Sequence, residues 1–168
     1  MLFLLLSCFS CNTHHANSED TVTVQQNINE QLIRVNKSQT YSEQSQIQDF
    51  VQRYRYDMDS TASGLRYLIY KKTKGAQPSK TSIVEINYEV KLLDGTVCYN
   101  SDTTGNLTFQ LGKTDLPVGL QQGVELMHIG EKAIFITPSK LGYGLTGDGD
   151  MIPPNAVLVY NVELVRVN

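Results

Sequence analysis

The sequence predicts an α+β fold, an antiparallel sheet wrapped around one short apolar helix with a helical extension ahead of it. Two strand patterns and one helical pattern carry this expectation. Val84, Ile86, Tyr88, Val90 and Leu92 alternate strictly with Glu85, Asn87, Glu89 and Lys91, the period of a half-buried strand, and Asp94-Gly95 supplies a hairpin turn. Leu158, Tyr160, Val162 and Leu164 repeat that period near the end of the chain. Leu116, Leu120, Val124 and Met127 instead share one face of a short helix, with Pro117 in its first turn.

The elements follow in order from the N-terminus. Residues 1–7 read MLFLLLS, and Leu5-Leu6-Ser7-Cys8 resembles the box cleaved and acylated in bacterial lipoproteins, with a small residue before the cysteine. Cys11, preceded by Ser10, is the competing lipidation site and gives a longer apolar run. A basic leader is missing, which places the expected start codon upstream. Residues 1–11 thus read as an anchor region, and no apolar run is long enough to span a bilayer. Residues 12–39 are rich in Asn, Gln, Ser and Thr and read as a polar tether, flexible or partly helical.

Over residues 40–63 the pattern changes. Thr40 with Glu43 matches a capping box, and Ile47, Phe50, Val51, Tyr54 and Met58 recur at helical spacing, which predicts an amphipathic helix. Its apolar stripe is expected to pack on the domain that follows, with pairing to a second copy of the chain, as a homodimer, or to another partner as the alternative. Residues 64–168 form that domain. Leu65, Tyr67 and Ile69 mark a first strand before the breakers Gly75 to Pro78, and Leu107, Phe109 and Leu111 mark another. Lys132 to Thr137 and Ala156 to Val167 complete five strands around the helix.

Composition excludes several functions. The 168 residues, 40% hydrophobic, suffice for one real core. Fourteen basic and seventeen acidic residues, net charge -3, are spread without a basic stripe, so nucleic-acid binding gets no support. Three cysteines without metal-ligand spacing argue against a disulfide framework or a zinc site. Gly147-Asp148-Gly149-Asp150 lacks the remaining ligands of a calcium loop and reads as a loop tip. Cys98 reads as a small buried hydrophobe, since no histidine stands in a partner motif, and His14, His15 and His128 as solvent-facing.

Four blocks, VEINYEVKLLDGT, LTFQLGK, VGLQQGVELMHIGEKAIFITPSKLGYG and MIPPNAVLVYNVEL, resemble in order and spacing the FKBP-type, or FK506-binding, peptidyl-prolyl cis-trans isomerases. The resemblance covers residues 64–167 and implies the family's half-barrel sheet, isomerisation of proline-containing polypeptide clients, and no metal or cofactor. The whole chain also resembles the gliding-motility-associated isomerase lipoproteins of the Bacteroidetes. That narrower likeness implies a lipid-anchored, periplasm-facing protein of the bacterial cell envelope that assists exported secretion or motility proteins.

By this resemblance the expected catalytic residues are Tyr88, on the strand, Tyr143, whose hydroxyl would hold a ligand carbonyl, and Tyr99. Leu107, Phe109, Leu116, Pro117, Leu120, Met151, Ile152 and Tyr160 are the expected substrate-binding wall, with Leu120 where many members carry a tryptophan floor. After the Asp94-Gly95 turn the family places a phenylalanine and an aspartate. Without a gap these positions hold Cys98 and Tyr99; with a one-residue bulge they hold Tyr99 and Asn100, and neither alignment supplies a carboxylate. Attenuated isomerisation is therefore one expectation, and a non-catalytic chaperone or assembly factor binding clients in the apolar cleft is the alternative.

Overall fold

The computed structural model describes residues 18–168, with side chains from Gln25 onward, so the anchor region with Cys8 and Cys11, and His14 and His15, lies outside the described residues. The chain divides into two compact units, one ending at Gln39 and one spanning Thr40–Asn168.

The helix α1 runs Ser18–Tyr54, well ahead of the expected start at Thr40. Glycine and proline are absent from this whole stretch, so nothing in it stops a helix from propagating. Thr40 and Glu43 consequently lie inside α1 and form no capping box; Glu43 instead accepts the Ser139 amide at 3.1 Å and the Ser139 hydroxyl at 2.5 Å. The helix ends in a Schellman-type turn, four residues before the expected Met58. Arg55 takes φ 54°, its amide reaches Gln52 O at 3.1 Å, and the Tyr56 amide reaches Val51 O at 3.0 Å.

Seven strands form one antiparallel sheet among the described residues: β1 Asp59–Ser60, β2 Arg66–Lys71, β3 Ile83–Leu92, β4 Val97–Asn100, β5 Leu107–Gln110, β6 Lys132–Thr137 and β7 Leu158–Val167. The order is β1-β2-β6-β7-β3-β4, and β5 pairs β3 beside β4. The five expected strands are present, joined by β1 and β4, which are too short to show a period of their own. Long β3 is the hinge of the architecture: one edge carries β7 along its length, the other is shared by β5 at Ile83–Ile86 and β4 at Glu89–Lys91.

Alternation sorts the two faces. Val84, Ile86, Val90, Phe135, Leu158, Tyr160, Val162 and Leu164 point into the main core, where Leu120 and Val124 of α3, Val118–Glu125, meet them together with Met127, which follows the helix. Leu116 and Met127 flank this shorter helix instead of lying on it. The helix approaches closely: a Cβ at Gly123 would stand 2.6 Å from the Phe135 ring. On the opposite face Ile136 and Val157 pack with Ile47 and Phe50 of α1, and Val159 lies against them. The amphipathic stripe of residues 47–58 is therefore absorbed by its own domain.

Candidate active site

The gap between β4 and β5 builds the first part of the site. Strand β3 has no ladder partner at Tyr88 on that edge, and the short helix α2, Ser101–Thr104, fills the place. The buried Ser101 hydroxyl accepts the Tyr88 amide at 2.8 Å and donates to the Tyr88 carbonyl at 3.0 Å, so one side chain closes both backbone bonds. Asn100 caps α2, its Oδ1 accepting the amides of Asp102 at 2.7 Å and Thr103 at 3.2 Å. Tyr88 reaches α2 with its hydroxyl, 3.1 Å from Thr104 Oγ1.

A bulge in β4 builds the second part. Val90 pairs Tyr99 while Lys91 pairs Val97, which leaves Cys98 as the extra residue. Strict alternation would send one of two successive side chains outward; the bulge lets both Cys98 and Tyr99 pack on the main core. The Cys98 thiol lies 3.7 Å from Met151 O, and burial, then the charges of Asp148 and Asp94, raises its pKa. Cys98 is thus a buried apolar wall group. Asn100, turned to capping, supplies no polar group to the core.

The third part is the turn between Ser139 and Ile152. Tyr143, half-buried, packs on the same core, and its hydroxyl makes no hydrogen bond among the described residues. Burial, then the nearby Asp148 and Tyr88, raises the Tyr143 pKa. Tyr160 lies beneath, 2% exposed, its pKa pushed well up by burial and then by Tyr143, Cys98, Tyr88 and Asp148. Tyr88, Tyr143, Tyr160 and Cys98 thus all lie in or against the main core, with the Asp148 carboxylate close enough to act on Tyr143, Tyr160 and Cys98.

Of the residues expected from the sequence, Tyr88, Tyr99, Tyr143, Leu107, Phe109, Leu116, Leu120, Ile152 and Tyr160 all belong to the main core or pack against it. Pro117 is buried at the N-cap of α3. Met151 is the exception: its side chain is 45% exposed, and it meets the site through its backbone carbonyl, because Ile152 takes the inward position. Sequence reasoning missed Ser101 and Asp148. Asp148 Oδ2 accepts the Tyr99 hydroxyl at 2.5 Å, which puts a carboxylate at the site from the loop previously read as a mere tip. No local pattern marks either residue, since each acts across a gap that only the folded sheet creates.

Comparison with known proteins places this geometry. The family model of FKBP-type peptidyl-prolyl cis-trans isomerases matches residues 74–165. A probable FKBP-type isomerase, FkpA, of Neisseria meningitidis serogroup B is 46% identical over 109 residues, covering 64% of this chain and 39% of the relative. The FKBP-type 22 kDa isomerase of Escherichia coli K12 is 35% identical over 115 residues, covering 66% and 53%. The chain therefore aligns with only about half, or less, of these curated relatives. The crystal structure of FkpA from Escherichia coli superposes with a TM-score of 0.67 at 25% identity, covering 92% of this chain and 74% of that one. Because the family model spans more than half of the chain, the chain belongs to the family of FKBP-type peptidyl-prolyl cis-trans isomerases.

Proposed function

We propose that this protein is a peptidyl-prolyl cis-trans isomerase that assists the folding of proline-containing, exported polypeptides. The observation that carries the reading is the convergence of Tyr88, Tyr143, Tyr160, Leu120 and Ile152 on one apolar core edge, together with the family. Rotation about an X-Pro bond faces a barrier of about 18–20 kcal/mol because resonance must be broken, and no covalent bond is cleaved. An apolar wall that strips water from the amide favours the twisted, less polar state, and a fixed donor such as the Tyr143 hydroxyl orients the neighbouring carbonyl. Catalysis so built needs no metal and no cofactor.

Leucine at 120 makes the floor smaller than the family's usual tryptophan, and the carboxylate at the site arrives from a loop, which together support attenuated activity. Relaxation of a cis X-Pro peptide tests the reading. We expect relaxation faster than the uncatalysed tens to hundreds of seconds, slowed by Tyr143→Phe. A rate equal to the uncatalysed one overturns it and leaves client holding without catalysis as the function.

The location we propose is the bacterial cell envelope, facing the periplasm through acylation of Cys8 or Cys11. Among the described residues no helix is long and apolar enough to cross a membrane. Labelled fatty acid failing to attach in cells overturns the anchor. Pairing of two chains through α1 is supported by Ile28, Leu32 and Val35, exposed at successive turns, and sedimentation of the full chain as a monomer overturns it.

A further inference from the structure

The loop from Gly147 to Ile152 is fastened by one carboxylate. Asp148 Oδ1 accepts the amides of Asp150 at 2.9 Å and Ile152 at 2.8 Å, while its own amide donates to Ile152 O at 3.1 Å. Gly147 at φ +70° closes this turn so tightly that a Cβ there would stand 2.2 Å from Ile152 O. The other carboxylate oxygen leaves the loop and accepts the hydroxyl of Tyr99, which comes from β4 on the far side of the core edge. Beside this bond runs the weaker contact from Cys98 Sγ to Met151 O at 3.7 Å. The loop carries Ile152, 2% exposed in the main core, and three residues, Gly144, Leu145 and Thr146, separate it from Tyr143.

We propose that Asp148 is a positioning residue for isomerisation: by accepting the Tyr99 hydroxyl it clamps the loop 147–152 against β4 and so keeps Ile152 and Tyr143 at the site. The proposal rests on the isomerase reading above. Its physical basis is pre-organisation. A charge-assisted hydrogen bond between strand and loop is stronger than a neutral one, and a loop held closed before binding has little order left to lose when a client docks. Without the clamp only a fraction of molecules present the closed wall, and apparent affinity falls by that fraction. Asp148 touches no reacting atom in this scheme; it acts through Tyr99 and the loop backbone.

The test is steady-state isomerisation of an X-Pro peptide by the full chain and by Asp148→Asn, Tyr99→Phe and the double variant, each verified as folded by its melting transition. We expect KM to rise about five- to ten-fold in each single variant with kcat within about two-fold, the signature of a less populated closed state. The double variant should be no worse than the poorer single one, because both remove the same bond. Unchanged KM, or effects that multiply, overturns the proposal; mere destabilisation would lower active enzyme and leave KM alone.

Titration of the phenol gives a readout independent of catalysis. The groups facing the Tyr99 hydroxyl are Asp148 and Asp150, and its pKa is pushed up to about 12 by the hydrogen bond to Asp148, then by burial, with the Met151 backbone opposing. Ultraviolet difference titration against Tyr99→Phe should show this high phenol in the wild type and a lower one in Asp148→Asn. If the wild type leaves the peptide at the uncatalysed rate, the isomerase reading fails. The clamp then stands or falls on binding of the same peptide: Asp148→Asn binding as tightly as wild type, with the phenol unmoved, overturns it.

Discussion

Ser101 does for β3 what a neighbouring strand does elsewhere: of the two residues without a ladder partner on that edge, Asn87 and Tyr88, it serves both the amide and the carbonyl of Tyr88. Replacement by alanine leaves the amide and carbonyl of Tyr88 without their partner, and Ser101→Ala should lose about 1–3 kcal/mol in urea unfolding, the usual cost of orphaning a buried polar group. Faster hydrogen exchange at the Tyr88 amide than at Val90 would locate the loss. Retention of wild-type stability and exchange would mean water serves Tyr88 equally well. Residues of this kind are illegible in a sequence. Tyr88 and Tyr143 could be singled out because they sit inside blocks with a recognisable order, whereas Ser101 and Asp148 look like any polar loop residue until β4, β5 and the loop at Gly147 are brought together. The bulge at Cys98 is illegible for the same reason: it is a property of how Val97 and Tyr99 pair with β3.

At the scale of elements, strand and helix periods were read correctly wherever one face is buried and the other is wet. Helix α1 shows the limit. From Gln25 to Ser38 its side chains are exposed all round, so no stripe announces it, and among the described residues the face appears from Ile47, where the helix has a sheet to cover. The two faces of β6 and β7 make a separable prediction. Ile47, 3% exposed, packs with Ile136 and Val157 on the face away from Tyr160 and Leu120. Ile47→Ala should cost about 2–4 kcal/mol in global stability by opening a cavity under the helix. Isomerase kcat/KM per folded molecule should stay within about two-fold, since the site lies on the opposite face. A fall in kcat/KM larger than the loss of folded protein would show that α1 reaches the site, through Glu43 and the turn at Ser139 that leads to Tyr143.

For the whole molecule, the deciding buried charge is Glu131, 3% exposed, which ties the turn after α3 to the segment before β3. It accepts the His128 amide at 2.8 Å and the Thr73 amide at 3.1 Å, and the His128 ring, solvent-facing at 39% exposure, stands 3.4 Å away. Burial raises the Glu131 pKa, but the two amides and His128 together outweigh it, and the net shift is downward. Asp148 is lowered in the same way, its bonds from Tyr99, Asp150 and Ile152 overcoming burial. A carboxyl whose folded pKa lies below its unfolded value binds fewer protons when folded. Its contribution is therefore complete above the unfolded carboxylate range, about 4, and disappears as pH falls through the lower folded value. Unfolding free energy should accordingly drop on going from neutral pH to pH values below 4. Glu131→Gln should be less stable than wild type at pH 7 by about 1–3 kcal/mol, the worth of hydrogen bonds to a charged acceptor, and the two proteins should converge in acid. Parallel urea curves at every pH, with the gap between the proteins constant, would show that Glu131 holds the two segments together by shape rather than by charge.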